Sequence, residues 1–178
     1  MNRNHIIEDK SFRLLVSGKD VAARVATMAE CIEQDFAGQQ VHFVGIMNGS
    51  FMFAADLLRR IHLPVKVSFI RLASYEGRES TGLIRELCPF AEDLTGQNIV
   101  LLEDIVETGT TIEYALKRLR SCNPARLAVA TLLFKPRCLV SNVSLDYVGF
   151  ELEDRFVVGY GLDYNGYGRN WDGLYAMD

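Results

Sequence analysis

Four short apolar segments constrain the fold of this chain more than any other feature. They are rich in β-branched and aromatic residues and cover residues 41–47, 65–72, 99–102 and 126–134. Runs of this kind are typical of strands that are buried on both faces of a parallel sheet. Helical segments alternate with them, as expected when parallel strands are joined by crossovers. We therefore predict an α/β fold, with a mostly parallel twisted sheet flanked by helices.

The helices are visible in the spacing of apolar residues. Between Ser17 and Phe36 these residues recur every three or four positions, with Ser17 suited to the N-cap and Gly38 to the stop. Residues 49–61 and 111–121 are predicted as further helices. Residues 73–97 instead form a polar, glycine-containing connection. Because long connections in compact domains are usually functional or mobile, we interpret this one as a candidate lid.

Length and charge limit the classes of protein that remain. With 178 residues and 49% hydrophobic content, the chain suits one domain, over residues 1–178. Its 19 basic residues against 23 acidic ones give a net charge of -4, which argues against a nucleic-acid-binding surface. The sequence has neither a signal-peptide pattern nor an apolar run that could span a bilayer. We expect a soluble cytoplasmic protein that does not bind membranes.

The four cysteines do not form a recognisable framework. They are Cys31, Cys88, Cys122 and Cys138, and their spacing fits neither a disulfide scaffold nor a zinc site. We expect buried free thiols in a reducing compartment.

Acidic residues and a threonine-rich turn follow the third apolar segment directly. Glu103 and Asp104 come where that strand is predicted to end. Ligands of parallel sheets bind outside the carboxyl ends of the strands, so these charges are expected to face a ligand site and not the core. Residues 108–111, Thr-Gly-Thr-Thr, lie at the predicted start of the next helix. Helix N-termini attract anions, so this turn predicts a phosphate site.

The two features together indicate the kind of ligand. Carboxylates bind hydroxyl groups or Mg²⁺, and the turn binds a phosphate, so a phosphorylated sugar would satisfy both. The alternative is a solvated helix start, because Asp, Glu and Thr are all common in first turns. The apolar strand immediately upstream favours a site for the set as a whole.

Sequence motifs add a family resemblance to this interpretation. The segment VLLEDIVETGTT, residues 100–111, resembles the ribose-phosphate-binding signature of type I phosphoribosyltransferases. Residues 45–57, the SYEG and STG pieces of the lid, residues 132–136 and residues 156–169 resemble hypoxanthine-guanine phosphoribosyltransferases in the same order. The resemblance implies a core over about residues 17–145 and a small hood from residues 1–16 and 146–178.

The resemblance also implies an activity in purine salvage. Such an enzyme transfers the 5-phosphoribosyl group of phosphoribosyl pyrophosphate to N9 of a 6-oxopurine, hypoxanthine or guanine. The products are IMP or GMP and pyrophosphate, and the cofactor is Mg²⁺. A cytoplasmic homodimer or homotetramer is the expected assembly.

By the same resemblance, individual residues of the acidic segment receive roles. Glu103 and Asp104 would hold the ribose hydroxyls, directly or through Mg²⁺. Glu107 would act as the general base toward purine N7, at a position where the family usually has Asp. The 5-phosphate site would be formed by residues 107–111, namely Glu107, Thr108, Gly109, Thr110 and Thr111.

Residues beyond this segment are implied to bind the base and the leaving group. Lys135 would contact purine O6 and disfavour adenine, while Phe156 and Val157 would contact the ring and its edge. Asp163, which is also implied to lie near the purine, would bind the Mg²⁺ that carries pyrophosphate, and Arg169 would bind pyrophosphate itself.

The remaining implied residues lie in two loops. Asn48, at a position where the family often has Lys, and Gly49 would offer backbone groups to pyrophosphate, in a loop that sometimes contains a non-proline cis peptide. Ser74 and Tyr75 would close over the site as part of the lid.

Two other classes remain open on the sequence alone. A regulator that senses phosphoribosyl pyrophosphate or a nucleotide could keep the phosphate turn, but it could lose Lys135, Asp163 or Arg169, all of which are present. A metal-dependent phosphatase or a dinucleotide binder could also place acids at strand ends. The segment GIMNGS, residues 45–50, lacks the GxGxxG pattern of a dinucleotide binder.

Overall fold

The chain forms two sheets and three α-helices in a computed structural model, which describes residues 5–74, 84–88 and 92–178. The strands are β1 (His5–Ile7), β2 (Lys10–Val16), β3 (Val41–Met47), β4 (Val65–Ser74), β5 (Ile84–Cys88), β6 (Asn98–Val106), β7 (Arg126–Phe134), β8 (Tyr147–Glu151), β9 (Val157–Val158) and β10 (Leu174–Met177). The helices are α1 (Gly18–Asp35), α2 (Phe51–Leu58) and α3 (Thr110–Arg120).

The larger sheet has the strand order β5-β4-β3-β6-β7-β8. All its neighbouring pairs are parallel except β4 with β5. Val41 of β3 is aligned with Val65 on one side and with Asn98 on the other, so the central strands begin at the same level. Their carboxyl ends therefore meet at one edge of the sheet. The predicted α/β fold with a mostly parallel sheet is confirmed.

Helices cover both faces of this sheet because the central strands carry apolar side chains in both directions. On one face Val100 and Leu102 of β6 belong to the same core as α1 and α2. On the other face Ile99 and Leu101 pack with the apolar side of α3. All four side chains are fully buried, which is worth about 1.5–3 kcal/mol for each.

Helix α1 begins and ends as its sequence indicates. The Ser17 hydroxyl accepts a hydrogen bond from the Asp20 backbone N–H at 3.2 Å, which satisfies one donor of the first turn. The helix ends at Asp35, and Gly38 has a φ of +73°, a conformation that glycine adopts without steric cost.

Chain segments from both ends form the smaller sheet, whose order is β1-β2-β10-β9. The strand β8, however, pairs with β7, so the larger sheet extends past residue 145, where the core was expected to end. The buried members of the smaller sheet include Phe12, Val158 and Tyr175.

One expectation about the strands was wrong, and one strand was not predicted. Strand β6 continues to Val106 and does not end at Leu102, because β7 provides a hydrogen-bonding partner as far as Phe134, opposite Val106. The connection interpreted as a lid contains β5, which pairs antiparallel with the end of β4. Neither feature can be recognised in the local sequence, since each depends on a partner strand.

The expectation of buried cysteines was also wrong in part. Cys31, Cys122 and Cys138 are free, but Cys31 is exposed because it lies on the outer side of α1.

Among the described residues, no helix is both long and apolar enough to cross a membrane.

Candidate active site

The acidic pair lies inside β6, at the carboxyl edge of the sheet. Glu103 is only 6% exposed, so this acid is buried, which the sequence did not predict. Pairing with β7, where Glu103 is aligned with Thr131, continues β6 past Leu102 and keeps Glu103 within the strand. Its Oε2 atom is buried and has no hydrogen-bond partner among the described residues.

Burial changes the acidity of both groups. It raises the pKa of the Glu103 carboxyl well above its usual range, and the charge of Asp104 raises it further. Burial also raises the pKa of Asp104, although a hydrogen bond with Glu103 and the Arg169 guanidinium act in the opposite direction. Two adjacent carboxyl groups in a dry environment favour a cation or hydroxyl donors between them.

The threonine-rich turn connects β6 to α3 and has the geometry of an anion site. Gly109 precedes the helix with a φ of +81°, and a β-carbon there would stand 2.7 Å from Leu139. The Thr108 hydroxyl lies 3.1 Å from the Thr110 hydroxyl. A helix leaves its first backbone N–H groups without intrahelical acceptors, so the start of α3 can bind an anion.

The turn and the buried acid share one cavity. It has a volume of about 260 Å³, and its lining includes Glu103, Glu107, Thr108, Gly109 and Thr111. The structure thus brings a carboxyl group and the turn to the same space, as predicted from the sequence. A cavity of about 630 Å³ at the opposite edge of the sheet, beside His42, contains none of the predicted site residues.

The loop after β3 packs directly against the acidic pair. The peptide bond between Met47 and Asn48 is cis, as the resemblance implied for this loop. A β-carbon on Gly49 would overlap the Asp104 carboxylate, and one on Gly161 would overlap the Gly49 carbonyl. Glycine at both positions allows three chain segments to meet at the carboxyl edge.

Lys135 lies at the end of β7 and is almost completely buried, with 4% of its surface exposed. Its ammonium group is 2.5 Å from Glu107 Oε1 and 3.4 Å from Asp154 Oδ1. The backbone fixes its position, because the Lys135 N–H donates to the Val106 carbonyl at 2.9 Å. The structure therefore brings Lys135 and Glu107 together, as the resemblance implied.

Asp154 was not among the residues predicted from the sequence. It follows β8, whose Glu151 is aligned with Phe134, the residue immediately before Lys135. The only local signal was an acidic residue in the connection leading to the Phe156 segment. Its contact with Lys135 depends on the pairing of β7 with β8, which the sequence did not reveal.

The residues of the last segment surround the same edge. Phe156 is 47% exposed, whereas Val157 is buried. The Phe156 ring meets Tyr164 edge to face, with 5.8 Å between centroids. An exposed aromatic ring that is supported from one side offers its face to a planar ligand.

Arg169 and Asp163 form an ion pair in the loop between β9 and β10. An Arg169 guanidinium nitrogen lies 2.5 Å from Asp163 Oδ1, and another donates to the Gly161 carbonyl at 2.6 Å. The second Asp163 oxygen accepts from the Gly166 N–H at 2.7 Å. Of the two predicted lid residues, Ser74 ends β4, and Tyr75 lies outside the described residues.

Comparison with known proteins identifies the family of this chain. The phosphoribosyl transferase domain model matches residues 15–165. The chain belongs to this family. A hypoxanthine phosphoribosyltransferase from Haemophilus influenzae is 38% identical over 161 residues, covering 88% of this chain and 90% of the relative. A hypoxanthine-guanine phosphoribosyltransferase from Mycobacterium tuberculosis is 35% identical, covering 85% and 79%.

Solved structures agree with this assignment. A crystal structure of a hypoxanthine-guanine phosphoribosyltransferase from Bacillus anthracis has a TM-score of 0.89 and 34% identity, covering 96% of this chain and 99% of that one. A hypoxanthine phosphoribosyltransferase from Staphylococcus aureus has a TM-score of 0.89 at 32% identity, covering 93% and 90%. This phosphoribosyltransferase family member therefore shares nearly its whole fold with these enzymes.

Proposed function

We propose that this protein is a purine-salvage enzyme. It transfers the 5-phosphoribosyl group of phosphoribosyl pyrophosphate to N9 of hypoxanthine or guanine, giving IMP or GMP and pyrophosphate. One observation carries the proposal: a buried acid and the start of α3 line a single cavity in a chain of this family. A phosphorylated ribose presents the hydroxyl and phosphate groups that these residues bind.

The sugar phosphate is held by β6 and the turn that follows it. The 5-phosphate accepts hydrogen bonds from the backbone N–H groups of Thr108 to Thr111 and from the threonine hydroxyls. Glu103 and Asp104 bind the ribose hydroxyls. Because Glu103 Oε2 has no hydrogen-bond partner in the described part of the chain, a donor from the sugar would satisfy a buried atom.

The acidic pair also fits Mg²⁺. No cluster of three potential ligands is present among the described residues, but this ion commonly uses one or two carboxylates together with oxygens of a phosphorylated substrate. Glu103 and Asp104 would provide that pair, and Asp163 would contribute on the pyrophosphate side. When bound, the ion would supply positive charge to the departing pyrophosphate.

The purine occupies the region between Lys135 and Phe156. The Lys135 ammonium donates to O6 of a 6-oxopurine, and an amino group at this position would oppose one donor with another. Phe156 provides a platform for the ring. Val157 and Asp163 lie along the edge of the base.

Transfer requires one bond to form and one to break. N9 of the purine attacks C1 of the ribose while the bond from C1 to the pyrophosphate oxygen breaks. The proton on N7 leaves as N9 becomes substituted, and Glu107 accepts it. Arg169 and the backbone of Asn48 and Gly49 hold the departing pyrophosphate.

Other features complete the proposal. Ser74 and Tyr75 close over the site and exclude water, which would otherwise hydrolyse the activated sugar. The enzyme acts in the cytoplasm as a homodimer or a homotetramer.

The experiment is an ultraviolet-monitored assay of the purified protein with Mg²⁺ and phosphoribosyl pyrophosphate. Hypoxanthine, guanine, xanthine and adenine are tested in turn. We expect turnover of the 6-oxopurines, inert adenine, and a loss of at least about a hundredfold in kcat for Glu107→Gln, the usual scale of general-base catalysis. Glu113→Gln, a matched change on the exposed face of α3, retains wild-type kcat. No turnover with any base, despite saturable binding of phosphoribosyl pyrophosphate, would instead indicate a ligand-sensing protein.

A further inference from the structure

The two side chains assigned to the purine bind each other. The Lys135 ammonium lies 2.5 Å from Glu107 Oε1, which places the proposed O6 donor and the proposed N7 base in one ion pair. When Glu107 accepts a proton from the base, its carboxyl group becomes neutral and no longer balances the charge of Lys135. Another group must therefore balance the charge of Lys135 during the transfer.

Protonation of Glu107 leaves a buried cation that needs another counter-charge. Lys135 is 4% exposed, so water cannot replace the carboxylate. A buried charge that is left without a counter-charge is unfavourable. A second carboxylate close to Lys135 would avoid this penalty.

Asp154 is placed to supply that carboxylate. Its Oδ1 atom lies 3.4 Å from the Lys135 ammonium, on the loop that leads from β8 into the Phe156 segment. The neighbouring Arg155 does not compete for Asp154, since its guanidinium pairs with Glu153 at 3.2 Å. The Asp154 side chain is 75% exposed, so it can move toward Lys135 without disturbing the core.

We propose that Asp154 is a positioning residue that balances the charge of Lys135 when Glu107 takes up the purine proton. This inference rests on the proposed function, in which Lys135 and Glu107 contact the base. Asp154 itself does not touch the substrate. It exchanges with Glu107 as the counter-charge of Lys135 when Glu107 becomes neutral, which keeps the ammonium directed at O6.

Asp154→Asn tests the exchange, with Glu153→Gln as its matched control. Both changes remove one exposed carboxylate from the same loop, but Glu153 pairs with Arg155 and not with Lys135. A hydrogen bond to a charged group is worth about 1.5–3 kcal/mol, so Asp154→Asn should lower kcat/KM for hypoxanthine about ten- to hundredfold. The KM for phosphoribosyl pyrophosphate should stay within about twofold, because the sugar-phosphate site is untouched. Glu153→Gln should leave both values unchanged.

Further readouts separate this role from a purely structural one. Asp154→Glu restores the charge and should recover most of the lost kcat/KM, and the melting temperature of Asp154→Asn should match that of wild type. Two results would overturn the inference and leave the proposed function standing. One is wild-type kinetics in Asp154→Asn. The other is an equal loss of kcat/KM for both substrates together with a lower melting temperature. Absence of turnover in the wild-type protein would overturn the proposed function, and this inference with it.

Discussion

Replacing Gly49 by alanine tests how the loop after β3 and the acidic pair depend on each other. A β-carbon at this position would stand 1.6 Å from Asp104 Oδ2, whereas ordinary van der Waals contact begins at 3.4 Å. The carboxylate, the loop or both must therefore move by a total of nearly 2 Å. A displacement of this size exceeds the precision that substrate positioning requires, since about 1 Å can cost a factor of about 100 in rate.

The cost in stability can be worked out separately from the cost in activity. Forcing an additional methyl group into a packed region typically destabilises by about 1–3 kcal/mol. For a chain of this size, each kcal/mol lowers the melting temperature by about 2–4 °C. We therefore expect Gly49→Ala to melt about 2–12 °C below wild type and to lose about a hundredfold in kcat/KM for phosphoribosyl pyrophosphate.

The control variant should lose a similar amount of stability and leave the site unchanged. Gly96 has a φ of +69°, and a β-carbon there would meet no atom within 4 Å, so alanine strains only the backbone, by about 1–2 kcal/mol. Steady-state kinetics and thermal denaturation of both variants separate the two effects. Wild-type kcat/KM for phosphoribosyl pyrophosphate in Gly49→Ala would refute the reasoning, as would an equal loss of activity in Gly96→Ala.

Two further predictions concern the acidic pair and the base platform. The folded protein binds the Glu103 proton more tightly than the unfolded chain does, in which the pKa of this carboxyl is near 4.5. The free energy of unfolding should therefore fall as pH rises from 4.5 toward the raised pKa of the folded state. Without substrate, Glu103→Gln should therefore have a higher melting temperature than wild type at pH 8, and the difference should shrink toward pH 4.5. A difference in melting temperature that stays constant or grows toward pH 4.5 would contradict the predicted direction of the pKa shift. Phe156→Ala should raise the KM for hypoxanthine about 5- to 150-fold, the range of 1–3 kcal/mol for base stacking, and leave the KM for phosphoribosyl pyrophosphate unchanged in initial-rate assays.

The parts of the fold that could be predicted are those with a local cause. Two strands, β3 and β7, are specified by their own continuous apolar runs. Helix α1 is specified by the apolar residues that recur every three or four positions from Val21 to Ile32, because that spacing places them on one buried face. Strands β5 and β10 could not be predicted in this way. Each is short, and each exists because another strand offers it hydrogen bonds: β4 for β5, and the distant β2 for β10.

The same distinction holds within the site. The turn at Thr108–Thr111 was predictable because a helix start and its anion-binding groups are contiguous in sequence. The contact between Lys135 and Asp154 was not, since it depends on the alignment of β7 with β8. The burial of Glu103 was missed for a related reason: the length of β6 is determined by its neighbours and not by its own composition.

The unpaired oxygen of Glu103 is best understood together with the core that surrounds it. An unsatisfied buried acceptor costs about 1–3 kcal/mol, and an adjacent carboxylate increases that cost. The fully buried Leu101 and Leu102 precede Glu103 in the same strand, and each contributes about 1.5–3 kcal/mol. The strand can therefore hold an unfavourable group in a fixed position. Because the cost falls away when a hydroxyl or a cation reaches the acidic pair, the same feature that destabilises the free protein favours binding of the sugar phosphate.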